Sequence, residues 1–379
     1  MRILPIASGK GGVGKSLVAA NLSVALAQAG KKVVLADLDL GASNLHLIIG
    51  HRSPRIGIGT FLSDTRADFN HVIADTDIPN LRFIPGDAEI PGSANLKPSQ
   101  KNALARRLLS VEADVLVLDL GAGTHQSILD FFLLSGQGIV VTAPTVTATL
   151  NAYLFLKNAV FRLMYSSFTK GSKAYEHVEK LRKDGSSLQK LYIPKLLEAI
   201  REIDPASWKK FRDRMELFHP RLILNMIEDP KDAEKALKIR RSCAEYLGIQ
   251  LEHLGIVYRD SMQDVALSAR LPILLYKPQS ILSQAIYRVA DKVLQSEEDA
   301  LPLEGRTIEE SFQEASMEAE VDFEAKMGYV EELLHSGALS TGDLVETVKS
   351  QQYEISQLRK ENVFLKSTLA KALHQGFRP

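Results

Sequence analysis

The chain has 379 residues, with 46 Lys and Arg set against 46 Asp and Glu, and a single cysteine. Zero net charge gives no whole-chain argument for nucleic acid or membrane, and one cysteine excludes an internal disulfide framework. No stretch approaches the roughly 20 apolar residues of a membrane span, and Met1–Pro5 is no signal peptide, so a soluble cytoplasmic protein is expected.

A short apolar run, Ile3–Ala7, is followed by Gly9-Lys10-Gly11-Gly12-Val13-Gly14-Lys15-Ser16 and then by a helical pattern from Leu17 to Ala29. Gly9, Gly14, Lys15 and Ser16 fit G-x-x-x-x-G-K-[ST], in the strand–loop–helix context that this motif requires. Glycines let successive N–H groups face an anion, and the helix N-terminus adds partial positive charge. Lys15 is then placed for β- and γ-phosphates and the Ser16 hydroxyl for Mg²⁺. Gly30 stands where the first helix should end in a left-handed cap.

Further apolar runs of strand length follow at Val33–Ala36, Leu81–Ile84, Val115–Leu118, Ile139–Thr142, Leu222–Leu224, Leu254–Val257 and Ile273–Leu275. They are continuous rather than alternating, which indicates burial on both faces. The expected fold is α/β, a mostly parallel sheet covered by helices on both faces, with ligands at the carboxyl ends of the strands. After the second run come Asp37 and Asp39, which point the same way at a strand end. After Val115–Leu118 come Asp119-Leu120-Gly121-Ala122-Gly123. An acid there suits Mg²⁺, and the glycines suit closure on a γ-phosphate. Each acid alone is common at strand ends; their order behind the first loop makes them a set.

These motifs resemble those of the MinD/ParA ATPases. Lys10–Ser16 resembles their deviant phosphate loop, Asp37–Asn44 their first switch, and Asp119–Gly123 their second. Ala143–Tyr153 and Leu274–Ser280 are most similar to the flagellar-number branch (FlhG/FleN). The likeness covers residues 1–164 and about 218–295. It implies an ATP-sandwich homodimer using ATP and Mg²⁺. Lys15 binds phosphates of its own subunit's ATP and Lys10 reaches the partner's. Asp39 orients the attacking water, while Ser16, Asp37 and Asp119 support Mg²⁺ along with Asp39. Gly9, Gly11, Gly12, Val13, Gly14, Leu17 and Gly121 shape the nucleotide site, and Asn225 reads the adenine. A lysine supplied in trans makes hydrolysis depend on dimerisation. One cysteine, Cys243, placed on an exposed helix, does not provide an iron–sulfur ligand set.

The expected organisation is an ATPase domain over 1–295, an acidic linker or loose helix over 296–340, and a heptad helix over 341–379. Residues 165–219 form an insertion with broken helical spacing and more basic than acidic residues. A solvated face is its ordinary reading, and contact with DNA phosphates or an acidic partner the sharper one. The acidic run Glu297–Glu324 is read as a neutraliser of that insertion. In the tail, Val348, Ile355, Asn362 and Leu369 occupy a positions, and Gln351, Leu358, Leu365 and Ala372 occupy d positions, with attractive g–e pairs (Glu354 with Arg359, Glu361 with Lys366). This implies pairing of two chains, or else one amphipathic helix on the core.

The leading expectation is a slow ATPase switch that positions or regulates a larger assembly (flagellum, cell pole, or chromosome and plasmid partition) through an unidentified protein partner. A DNA-binding segregation ATPase and a coiled-coil scaffold with a nucleotide-sensing head are the alternatives. Membrane attachment is disfavoured, because the end of the chain lacks a strongly cationic amphipathic segment. Too few residues precede Ile3 to hold the activating segment of the flagellar branch.

Overall fold

The computed structural model describes residues 1–41, 43–52, 56–63, 68–86, 96–183, 192–298 and 308–336, with scattered positions between 342 and 360. The chain divides into two units, Met1–Asp322 and Phe323–Pro379. The first is built on an eight-stranded sheet of order β3-β4-β2-β5-β1-β6-β7-β8. Its strands are β1 (Arg2–Ser8), β2 (Val33–Leu38), β3 (Ala74–Asp75), β4 (Leu81–Ile84), β5 (Val115–Ala122), β6 (Ile139–Thr142), β7 (Arg221–Ile227) and β8 (Glu252–Tyr258). All neighbours are parallel except β3 and β4.

Helices among the described residues are α1 (Lys15–Gln28), α2 (Leu45–Ile48), α3 (Ile58–Ser63), α4 (Pro98–Leu109), α5 (Gln126–Phe132) and α6 (Val146–Ser167). They continue as α7 (Lys173–Lys183), α8 (Ile193–Ile203), α9 (Pro205–Met215), α10 (Ala233–Ser242), α11 (Met262–Ser268), α12 (Ile273–Tyr276), α13 (Ile281–Glu298) and α14 (Ile308–His335). The central strands are buried along nearly their whole length, as continuous apolar runs require. One large apolar cluster packs α1 and α13 onto a face of that sheet. Gly30 has φ 86°, the expected left-handed residue beyond the first helix.

Three expectations change. Ile273–Leu275 is not a strand but α12, whose first turn is closed onto the carbonyl of Pro272 by Leu275 and Tyr276 N–H groups. Three apolar residues cannot distinguish the two states, and the preceding proline favours a helix start. Cys243 is fully buried rather than exposed, at the start of a π-turn over Cys243–Leu247, and burial pushes its thiol up to about 12. The acidic segment is not loose up to Asp322. Glu309 pairs with Arg240, Glu318 with Lys292, and Asp322 with Arg288. These cations belong to α10 and α13 rather than to the insertion. The insertion itself is helical, with α6 running into it as far as Ser167, followed by α7, α8 and α9. Of the heptad positions, Val348 is described and is half exposed; Gln351, Ile355, Leu358, Asn362, Leu365, Leu369 and Ala372 lie outside the described residues, as do the g–e partners Glu354, Arg359, Glu361 and Lys366.

Candidate nucleotide site

The site sits at the carboxyl ends of β1, β2 and β5. Gly12 and Gly14 have φ of 79° and 81°, conformations that a side chain would strain, and Gly14 leads into α1 without a side-chain cap. The first N–H groups of α1 therefore lack a protein side-chain acceptor at its entry, the arrangement that suits a bound anion. Asn225 braces the loop from behind: its amide donates to the carbonyl of Val13 at 2.9 Å and is buried.

Parallel pairing of β2 with β5 puts Asp37 in register with Asp119. Both are buried. Lys15, itself buried, donates to Asp119 Oδ1 at 2.6 Å and lies 3.3 Å from Ser16 Oγ. Asp37 accepts from the Ser43 hydroxyl at 2.6 Å and from the Asp39 and Leu45 N–H groups, which fixes the curve of the chain leaving β2. Burial, and then the charge of Asp119, push the Asp37 carboxyl up to about 7. Burial raises Asp119 as well, opposed by the Lys15 ammonium. Two buried carboxylates side by side with one lysine favour a further cation. All the donors are oxygens, which fits Mg²⁺ better than a soft metal. Among the described residues no group of three or more His, Cys, Asp or Glu that could hold a metal ion is found.

Asp39 is half-buried beside the second loop. A Cβ on Gly121 would stand 3.3 Å from its Oδ1, so the glycine admits the carboxylate. The two loops enclose a cavity of about 310 Å³ that holds Asp39 and His125 among apolar neighbours. Lys10 points elsewhere: its exposed Nζ donates to Thr147 Oγ1 at 3.1 Å, at the start of α6. On the outer side of the loop a second cavity, of about 370 Å³, is bordered by Pro144, Met226, Glu228 and Arg259. Asn225 lies behind this cavity rather than open to it. Left-handed backbone at Met226 (φ 62°) and a register shift between Leu224 and Ile227 turn the chain at that point.

The structure thus gathers Gly9 through Leu17, Asp37, Asp39, Asp119, Gly121 and Asn225 at one end of the sheet. Sequence reasoning did not single out Ser43, which ties Asp37 to the Gly86 carbonyl, or Thr147, the partner of Lys10. A hydroxyl six residues after an acid, or within a Thr-rich helix start, is too common to mark a role.

Fold and site together define a P-loop nucleotide-binding protein. Residues 4–352 match the CobQ/CobB/MinD/ParA nucleotide binding domain, and the chain belongs to that family. It is 33% identical over 153 residues to the septum site-determining protein MinD of Synechocystis, covering 40% of this chain and 56% of that one. It is 29% identical over 159 residues to the antiactivator FleN of Pseudomonas aeruginosa, covering 41% and 56%. It is 30% identical over 206 residues to the flagellum site-determining protein YlxH of Helicobacter pylori, covering 51% and 68%. The match thus spans little more than half the length of the first two relatives. Among solved structures, the cell division ATPase MinD of Pyrococcus furiosus shares the fold, with a TM-score of 0.53 at 21% identity, covering 78% of this chain and 99% of that one. MinD of Pyrococcus horikoshii, solved with Mg-ADP, gives 0.52 at 22% identity, covering 79% and 99%. Among the described residues no helix is long and apolar enough to cross a membrane.

Proposed function

We propose that this chain is a slow ATPase whose ATP-bound form is a face-to-face homodimer, and that this switch positions or regulates a larger assembly of the flagellar or septal kind. The carrying observation is the contrast in placement of two lysines on one loop. Lys15 is buried on Asp119 inside its own subunit, whereas Lys10 is exposed and turned outward. The roles named for the relatives, flagellum-site and septum-site determination, supply the class of assembly.

In this reading ATP phosphates lie on the N–H groups of Gly11–Leu17. Lys15 adds charge at the β- and γ-phosphates, and Asp39, admitted beside Gly121, holds the attacking water. Ser16, Asp37, Asp39 and Asp119 would hold Mg²⁺ directly or through water, and the ion supplies neutralisation of phosphate charge. Asn225 keeps the loop in shape while the base occupies the cavity at Met226, Glu228 and Arg259. Lys10 leaves Thr147 and completes the second subunit's site.

Lys10→Ala and Lys15→Ala should each lower turnover on the order of 10²-fold. Co-expressed, the two chains should recover about a quarter of wild-type turnover, since half the dimers are mixed and each mixed dimer has one complete site. No recovery from a folded, mixed population sinks the trans assignment. Asp39→Ala should bind ATP normally and cease to turn over; wild-type turnover in that variant removes Asp39 from the mechanism.

A further inference from the structure

In the insertion, α8 and α9 meet at Asp204, whose carboxylate accepts from the Ser207 N–H at 3.1 Å and caps α9. The inner side of this pair is occupied by its own packing. Ile193, Leu196 and Ile200 of α8 are buried, and Phe211 of α9 meets Phe168 edge-on. Arg214 donates to the Ser166 and Ser167 hydroxyls at the end of α6. Pro205, Trp208, Lys209 and Arg212 recur at spacings of three and four, so they share another side of α9. There the guanidinium carbons of Arg201 and Arg212 lie 5.2 and 5.4 Å from the ring centre of Trp208, the only tryptophan of the chain. The indole is half-buried, and Arg201, Lys209 and Arg212 are exposed. A ring attracts a cation but offers its N–H groups no acceptor oxygen. Arg212 has one acid, Glu216 of its own helix, at 2.8 Å, whereas the Arg201 guanidinium has no hydrogen bond or ion pair with a described residue.

We propose that Arg201, Trp208, Lys209 and Arg212 form a docking site for a short acidic segment of a partner protein. An arginine fork matches a carboxylate in shape and charge, and the indole holds both forks in place and offers apolar area between them. Tryptophan and arginine together are the residue types that anchor protein contacts. The helix α9 is about 16 Å long, the span of roughly five extended residues. Acids of the same chain do not fill the site, because Glu309, Glu318 and Asp322 of α14 are paired with α10 and α13. A nucleic acid fits it less well than a peptide. Glu198, Glu202, Asp213 and Glu216 are exposed on the same two helices and oppose an unbroken row of phosphates, whereas separate carboxylates can lie between them. The site stands at the far end of α6 from Lys10, about 28 Å along the helix, and does not require that lysine to act in trans.

Trp208 makes the site its own reporter. The full-length protein, without nucleotide and at about 0.15 M salt, is titrated with acetyl-pentaglutamate amide while tryptophan emission and heat are followed. Pentaglutamate should saturate below about 1 mM, and pentaglutamine should give neither signal. Arg201→Gln and Arg212→Gln should each weaken binding at least about tenfold, Arg201→Lys less, and Arg107→Gln on α4 not at all. Wild-type ATP turnover in these variants shows that the fold and the nucleotide site are intact, so a loss belongs to docking alone. Absence of both signals, or binding that ignores both arginine substitutions, overturns the site. A ten-residue oligothymidylate that binds more tightly than pentaglutamate through the same arginines overturns the acidic segment in favour of nucleic acid. Absence of ATP turnover in the wild type would overturn the ATPase reading and leave the docking result as measured.

Discussion

At the residue scale, two buried polar groups lie at the start of the last strands, at the opposite end of the sheet from the site. Arg221 is fully buried and its Nε lies 2.8 Å from Glu252 Oε2, while Nη1 and Nη2 meet no hydrogen-bond partner among the described residues. Removing one member of a buried pair strands the other, at a cost of about 3–5 kcal/mol. Glu252→Ala should therefore lower the urea midpoint sharply, and Arg221→Met should do so less, because it leaves only a carboxylate that reaches water; equal losses would contradict this account. His253 is also buried, its ring packed edge-on to Phe312, and burial drives its pKa from 6.5 down to about 4. Arg240 lowers it further and Glu309 raises it. A folded state that refuses a proton which the unfolded chain accepts loses stability as pH falls. The contribution is intact above pH 6.5 and is lost between 6.5 and about 4, a drop of roughly 3 kcal/mol. Unfolding measured across that range should show the slope in the wild type and a flatter profile in His253→Leu.

At the element scale, α14 shows what a sequence conveys poorly. Its acidic composition reads as a solvated linker, yet the inner face is specific. The Tyr258 hydroxyl donates to the Ala319 carbonyl at 2.8 Å, and the N–H of His253 donates to Ser311 Oγ at 3.3 Å. Because β8 is an edge strand, this helix covers backbone that would otherwise invite another strand. Glu318→Lys places like charge against Arg288 and Lys292 and should raise amide exchange over Leu254–Tyr258 by at least about tenfold. Unchanged exchange would mean that the helix is held without its ion pairs. The long buried strands were legible because Val115–Leu118 and Ile139–Val141 are apolar at every position, and glycine spacing marks a phosphate loop almost uniquely. Ile273–Leu275 was not legible, since three apolar residues carry no period. Nor was the position of Asn225, where a bulge at Met226 decides what the amide meets. The cations that receive the α14 acids come from α10 and α13, far apart in sequence, so local composition could not reveal them.

At the scale of the whole molecule, the ATPase cycle and the tail make competing demands. If Lys10 completes the second subunit's site, turnover in a freely dissociating chain depends on encounter and rises with protein concentration. If the heptads expected from Val348 to Ala372 pair two chains, they replace encounter by a local concentration in the mM range. Turnover per chain should then be independent of protein concentration over the nanomolar to micromolar range in the full-length protein. A chain ending at Ser336 keeps all of the Met1–Asp322 unit and removes the heptads. Its specific activity should fall as it is diluted and return when it is concentrated, with ATP affinity at low occupancy unchanged because Lys15 and the loop are intact. Asn362→Leu tests the same link without truncation, since a polar a position limits the pairing and its removal strengthens it. Concentration-dependent turnover in the full-length chain would show that the tail does not pair the heads, and would make ATP itself the agent that brings them together. Concentration-independent turnover in both forms would mean that hydrolysis needs no second subunit, and would remove Lys10, whose Nζ donates to Thr147 Oγ1, from the trans role proposed for it.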